Sequence, residues 1–280
     1  MSIMKKLREY LNRPLSFVMF LLIIISTVIT ALTVVFIIGY IFIKGVPNLS
    51  LDLFSLKYSS SNQSMLPSII NTVYLTALTL LLSVPIGIFS AIYLAEYSRK
   101  NSFFVKIINI ANETLSGIPS IVYGLFGFLA FVISKKWGYS LLAGVITLAI
   151  MVLPLIIRTS QEAMLGVDNT FREASYGLGA GKLRTVFKIV LPSAMPGILS
   201  GIILAIGRIV GETAALIYTA GTVPEAATKL TSSSRTISVH LYCLLNEGLY
   251  TEQAYATAVV LIVFVVIINA LSNALAKKIM

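Results

Sequence analysis

Six long apolar runs alternate with polar connections along the chain, near residues 15–43, 69–94, 108–133, 138–157, 196–220 and 254–276. Each is long enough to cross a hydrocarbon core as a helix, which takes about twenty residues. The pattern predicts an all-α, polytopic membrane protein with six transmembrane helices. Residues 1–14 read as a cytoplasmic tail and 15–280 as a single membrane domain, with a prominent polar connection over 158–192. The first run is too long for a signal-peptide core, and Lys44 follows it in place of a small-residue cleavage site, so it reads as a retained anchor helix. Two outer segments are substantial, 45–68 and 221–253. The second contains an apolar patch, Ile237 to Leu245, expected to form a short surface or re-entrant helix.

Composition agrees with a bilayer environment. With 57% hydrophobic residues, 11% charged residues and a mean hydropathy of +0.93, the chain is no soluble domain. The net charge of +10 does not imply nucleic acid, because most basic residues sit in short loops and tails, where the positive-inside rule places them. An internal N-terminus puts Lys5, Lys6, Arg8, Arg13, Arg99, Lys100, Lys106, Arg158, Arg172, Lys182, Arg184, Lys188, Lys277 and Lys278 inside. It leaves Lys44, Lys57, Lys135, Lys136, Lys229 and Arg235 outside. Fourteen against six fixes both termini as cytoplasmic, although Lys135 and Lys136 dissent locally. One cysteine, Cys243, excludes an intrachain disulfide, and one histidine, His240, excludes a histidine-rich metal cluster.

Polar and helix-breaking residues inside the runs mark candidate chemistry. The third run holds Gly117, Pro119, Gly124 and Gly127 within SGIPSIVYGLFG, and such breaks are tolerated where protein or a wet cavity satisfies the freed backbone groups. This span is expected to face a translocation path. Pro85 and Pro154 predict structural kinks. In the fifth run, Gly197 with Gly201 and Gly207 with Gly211 form two small-xxx-small pairs, suited to a second permease subunit or to packing within one. The same run carries Arg208 and Glu212, four residues apart and hence expected on one helical face. A charge at mid-membrane costs about 2.5 to 3.5 kcal/mol on insertion scales, so both must be paired or wet. Two readings stand: a structural ion pair, or an Arg208 fork offered to an oxyanion with Glu212 orienting it. Glu113, two turns into the third run, completes a charge network or stands as a helix-end carboxylate near solvent.

The most specific spacing lies in EASYGLGAGKLRTVFKIVLP, Glu173 to Pro192. Phe171 to Leu178 can form a short helix, the glycines at 177, 179 and 181 a sharp turn, and Leu183 to Val190 a second helix. Glu173 and Ala174, then Gly179, then Ile189, Leu191 and Pro192 recur at the spacing of the cytoplasmic coupling loop of ABC importer permeases, which this stretch resembles. An amphipathic connection lying on the membrane surface is the bland alternative. SGIPSIVYGLFG, LAIMVLPLIIRTSQEAM and GRIVGETAALIYTAG look like the phosphate-specific permeases of that family, over most of the chain from about residue 66. Ser175 departs from the loop pattern, where a second alanine is more usual.

The resemblance implies a type I ABC importer permease fold and inward transport of inorganic phosphate. It implies a second, similar permease subunit, a dimeric ABC ATPase that binds ATP and magnesium, and an extracytoplasmic phosphate-binding protein, with no cofactor on this chain. It places Arg208, Glu212 and Arg158 on the phosphate route, with Glu113 held alongside. The rival readings are a permease for sulfate, molybdate or phosphonate, and an ion-coupled secondary carrier, whose matched broken helices are not found. GLGAGKL is no P-loop, since its glycines are wrongly spaced and Leu183 follows Lys182. A lone His240 supplies no Ser/His/Asp set, so the chain is read as a transport subunit and not an enzyme.

Overall fold

A computed structural model describes residues 14–99 and 102–279, so the basic residues Lys5, Lys6, Arg8, Arg13 and Lys100 of the charge count lie outside the described residues. Every regular element among the described residues is helical. Its elements are α1 (Pro14–Gly45), α2 (Leu66–Ile92), α3 (Phe103–Gly117), α4 (Ser120–Gly127), α5 (Leu141–Leu165), α6 (Asn169–Gly177), α7 (Lys182–Thr185), α8 (Leu191–Gly211), α9 (Ala214–Thr219), α10 (Ile237–Glu247) and α11 (Thr251–Ile279). Five helices are long and apolar enough to cross a membrane, and six if the bent pair formed by α3 and α4 counts as one span.

Two predicted spans differ from the simple pattern. The third is no continuous helix: α3 ends at Gly117, and the chain turns by 100° before Ser120–Ser134 resumes. Ile118 is extended at ψ 130°, because a residue preceding proline is pushed out of the helical region, and Pro119 follows at ψ 140°. The fifth predicted span, 196–220, also breaks. α8 is continuous backwards to Lys182 through the π-helical turn Val186–Val190, and it stops at Gly211, where Glu212 turns extended at ψ 129°. By contrast α2 and α5 run straight through Pro85 and Pro154 as single helical elements.

Two glycines of the third span are packing positions. A Cβ on Gly124 would meet the Ala215 backbone at 2.8 Å, and one on Gly127 would meet the side chains of Thr147 and Thr219. The pair Gly197 and Gly201 likewise seats α8 against Ala163 and Thr159 of α5, within the same subunit. Gly207 and Gly211 have open space around them.

The main core joins α2, α5, α8 and α9 through Leu75, Leu148, Met151, Ile156, Ala205, Ile209 and Leu216. A second cluster, Ala91, Ile92, Met164, Val186, Val190, Ala194 and Ile198, closes the end of the bundle that carries α6 and α7. α1 stands apart, its apolar side chains exposed, and touches α11 where Gly45 lies against Tyr255 and Val259. The apolar patch at 237–245 is a true helix, α10, capped by Thr236, which accepts from the Val239 N–H; its Ile237, Val239 and Leu244 are buried.

His240 is a packing histidine, 0% exposed and edge-on to Tyr58. Burial, and then the nearby Arg235, hold its pKa down at about 3. The folded state therefore binds this proton only near pH 3, while the unfolded chain binds it near 6.5, so stability falls as pH drops through that window. Thermal unfolding in detergent should show a smaller loss between pH 7 and pH 4.5 in His240→Phe than in the parent. An equal loss in both would show that His240 contributes nothing to acid sensitivity.

Candidate functional site

The polar stretch after α5 folds as a helical hairpin. Asp168 starts α6 by accepting from the Thr170 N–H, which holds its carboxyl below the usual carboxylate range. α6 ends at Gly177, and Gly179 makes the turn at φ +81°, a left-handed conformation that glycine adopts without strain. α7 follows and merges into the π turn and α8. Ser175, the departure from the loop pattern, is buried and shares a 2.8 Å hydrogen bond with Thr185, which joins the two arms. An alanine there would leave Thr185 to its 3.3 Å bond with the Gly181 carbonyl.

Exposure sorts the predicted docking residues. Glu173, Ala174, Gly179 and Pro192 are on the surface. Ile189 and Leu191 are half-buried, and Leu191 packs against the second core cluster, so it supports the loop from within. Leu178, 89% exposed, and Leu183 stand out beside the turn as apolar knobs that the spacing argument passed over. Exposed apolar side chains grouped on one projection mark a protein contact surface. Arg158, counted with the connection 158–192, sits instead inside α5, which runs on to Leu165.

A residue that sequence reasoning missed anchors this hairpin. Arg172 donates from Nη2 and Nε to one oxygen of Glu96, at 2.7 and 3.1 Å, and from its two terminal nitrogens to the carbonyls of Met164 and Val167, each at 2.7 Å. Nothing local could reveal Glu96, which lies 76 residues earlier at the end of α2.

The four residues assigned to a substrate path do not form one cluster. Arg208 lines a cavity of about 560 Å³ between α5, α8 and α11, with Leu155, Ser200, Ile203, Leu204, Gly207 and Asn269. Glu113 and Arg158 line another, of about 220 Å³, with Asn109, Asn112, Gln161 and Glu162. There Arg158 is already engaged, its Nε donating to Glu162 at 3.0 Å in an exposed pair.

Glu212 lines neither cavity and does not pair with Arg208; the ion pairs among the described residues are Arg158–Glu162 and Arg172–Glu96. The expected shared helical face is lost because α8 ends between them. Glu212 is instead buried at the break, where its carboxylate accepts from the Ala215 N–H at 3.0 Å and caps α9. Its carbonyl accepts from the Ser238 hydroxyl at 2.6 Å, fastening α10 to the same point. Arg208 is thus a guanidinium in a membrane helix with no carboxylate partner among the described residues, facing a cavity. Ser200 and Asn269 are the further polar residues that the structure adds there, Asn269 an amide isolated in the apolar run 261–270.

Residues 83–280 match the binding-protein-dependent transport system inner membrane component family. The chain belongs to that family. The permease is 32% identical over 249 residues to the probable ABC transporter permease protein YqgI of Bacillus subtilis, covering 82% of this chain and 84% of that one. It is 35% identical over 218 residues to the phosphate transport system permease protein PstA of Haemophilus influenzae, covering 77% of each. Its fold is that of type I ABC importer permeases. A bacterial ABC transporter involved in import of the acidic polysaccharide alginate superposes with a TM-score of 0.67, at 17% identity over 99% of each chain. The MetNI methionine ABC transporter superposes at 0.58, with 16% identity, over 76% of this chain and 93% of that one. As a member of this family the permease is a multi-span transport subunit whose ATPase is a separate protein.

Proposed function

We propose that this permease moves inorganic phosphate into the cell as the PstA-type subunit of an ATP-driven importer. It would pair with a PstC-like second permease, receive phosphate from a PstS-like extracytoplasmic binding protein, and be driven by a PstB-like ATPase dimer that binds ATP and magnesium. No cofactor is assigned to the permease itself. The observation that carries the reading is Arg208, a guanidinium with no carboxylate partner among the described residues, lining a cavity between α5, α8 and α11. A fixed cation in an apolar helix is costly and is stabilised by an anion, and a guanidinium fork fits the paired oxygens of an oxyanion. Relatives named as phosphate permeases support phosphate as that anion. The projecting hairpin, with Leu178 and Leu183 at its turn, supports an ATPase partner and disfavours a secondary carrier, which needs no such handle.

Sulfate, molybdate or phosphonate would satisfy the same fork, so competition separates them. Uptake of labelled phosphate should require this chain and should persist under excess sulfate, molybdate or phosphonate. Equal suppression by one of these would reassign the substrate.

In this reading the hairpin lies in the cytoplasm and segment 221–253 outside, the orientation that the charge count favours. With Cys243 replaced, a cysteine at Thr228, which is exposed, should react with an impermeant thiol reagent in intact cells, and one at exposed Leu183 should not. Reversed labelling would invert the membrane orientation and remove the hairpin from the ATPase.

A further inference from the structure

Two consecutive residues at one end of α2 hold both arms of the docking hairpin. Glu96, in the π-helical turn Tyr93–Tyr97, takes Arg172 of the first arm in a largely buried pair, with side chains 6% and 13% exposed. Tyr97 carries the Lys182 ammonium of the second arm over its ring, 5.0 Å from the centroid. Arg172 also satisfies the last carbonyls around the end of α5, so the hairpin, α2 and α5 meet at one guanidinium.

The other end of α2 holds the far loop with comparable economy. Asn71 donates to the carbonyls of Glu225 and Arg235, at 3.0 and 3.1 Å, and accepts from the Ala227 N–H at 2.8 Å. Thr72 accepts from the Ile237 N–H at 3.0 Å. Both side chains are fully buried, and between them they fix four backbone groups of the segment 225–237. Glu96 and Asn71 lie on one unbroken apolar span, Leu66–Tyr97, of 32 residues. At 1.5 Å per residue that is about 48 Å of helix, enough to cross the whole bilayer.

We propose that α2 is the strut that ties movement of the docking hairpin to movement of the segment 225–237, with Glu96 as the positioning residue at one end and Asn71 at the other. The inference rests on the proposed docking of an ATPase at the hairpin. A hairpin joined to the bundle only by flexible connections would absorb a displacement locally. Here the buried Arg172–Glu96 contact, with Nε and Nη2 both donating to one carboxylate oxygen, holds the first arm to α2, and the aromatic contact holds the second arm to the same helix. α5 also meets this segment, its Leu141 and Leu142 N–H groups donating to the Ser232 and Leu230 carbonyls at 2.9 Å, whereas the side chains of α2 hold Glu225, Ala227, Arg235 and Ile237, so a shift of α2 carries those four together. Glu96 touches neither substrate nor nucleotide and acts through Arg172.

The test uses the assembled transporter with Cys243 replaced and Thr228→Cys as reporter on the far segment. The parent should change its thiol-labelling rate when ATP is added. Glu96→Gln should keep the ATPase bound and hydrolysing ATP, yet lose the ATP-dependent change in labelling and lose phosphate uptake. Glu96→Asp, which keeps the charge, should recover both in part. A purely structural role for Glu96 predicts reduced yield with an unaltered ATP response in whatever assembles. If Glu96→Gln does not assemble, Tyr97→Leu at a part-exposed position carries the test, with the ATP response expected to weaken. An unchanged response in the assembled Glu96→Gln or Tyr97→Leu transporter, or none in the parent, overturns the strut alone. Absence of ATPase from the parent preparation overturns the docking reading and the strut with it.

Discussion

Arg208→Gln is expected to bring phosphate uptake to background while leaving the amount of assembled protein undiminished. The two halves of that expectation have separate physical causes. Gln keeps much of the side-chain length but offers no charge and no fork. A hydrogen bond to a charged partner contributes about 1.5 to 3 kcal/mol, so losing two costs roughly 3 kcal/mol or more, about a hundredfold in rate if both form only during passage. Assembly should not suffer, because among the described residues no carboxylate pairs with Arg208 and the change strands no opposite charge. Removing an unpaired guanidinium from a membrane helix instead relieves a cost of about 2.5 to 3.5 kcal/mol. Glu212→Gln, added to Arg208→Gln, should not restore uptake, since Glu212 caps α9 through a carboxyl oxygen that an amide oxygen can replace. Uptake normalised to purified complex decides the matter. Full uptake by Arg208→Gln would remove this residue from the phosphate route.

Changes at the hairpin turn should uncouple the permease without unfolding it. At Gly179 the backbone sits at φ +81° with nothing within 4 Å of where a Cβ would stand, so the obstacle to a side chain there is conformational and not steric. A β-branched residue held in that region costs of order 1 to 3 kcal/mol, and the turn would relax to another shape. The rest of the hairpin stays anchored by Arg172 and by Val186 and Val190 in the core. Gly179→Val should therefore insert normally, retain little ATPase on purification and transport poorly, whereas Gly179→Asn, which tolerates this conformation, should keep most of both. Glu173→Lys tests the surface itself. Glu173 is exposed and makes no hydrogen bond or ion pair among the described residues, so reversing its charge alters what a partner meets and little else. Wild-type ATPase retention and uptake in both Gly179→Val and Glu173→Lys would show that this turn is not where force enters.

The helices were legible in the sequence because bilayer-spanning segments must be long, apolar and internally hydrogen-bonded. The hairpin was legible because its glycines and charges interrupt that pattern at a specific spacing. What stayed hidden depends on contacts between distant segments or on one backbone angle. Glu212 sits in an apolar run that reads as helix, and only its extended backbone, ψ 129°, turns the carboxylate from Arg208 toward the start of α9. The glycines of SGIPSIVYGLFG signalled irregularity, but whether they face a path or a neighbouring helix depends on α9, almost a hundred residues later. Glu96 and Asn269 carry no motif. Their significance comes from Arg172 and Arg208, which the chain brings to them only on folding. A local spacing argument finds surfaces that a partner reads, and it misses the internal contacts that support them.

If an ATPase docked on the hairpin controls this permease, phosphate passage depends on both proteins and can be followed in a defined system. The most direct measurement is uptake of labelled phosphate into vesicles reconstituted with the purified complex and the phosphate-binding protein, with and without ATP inside and outside, in the absence of ion gradients. Uptake should require ATP on the hairpin side, binding protein on the opposite side and Arg208. Phosphate accumulation that proceeds without ATP when an ion gradient is imposed, or an ATP-driven complex that moves another oxyanion and leaves phosphate behind, would contradict it.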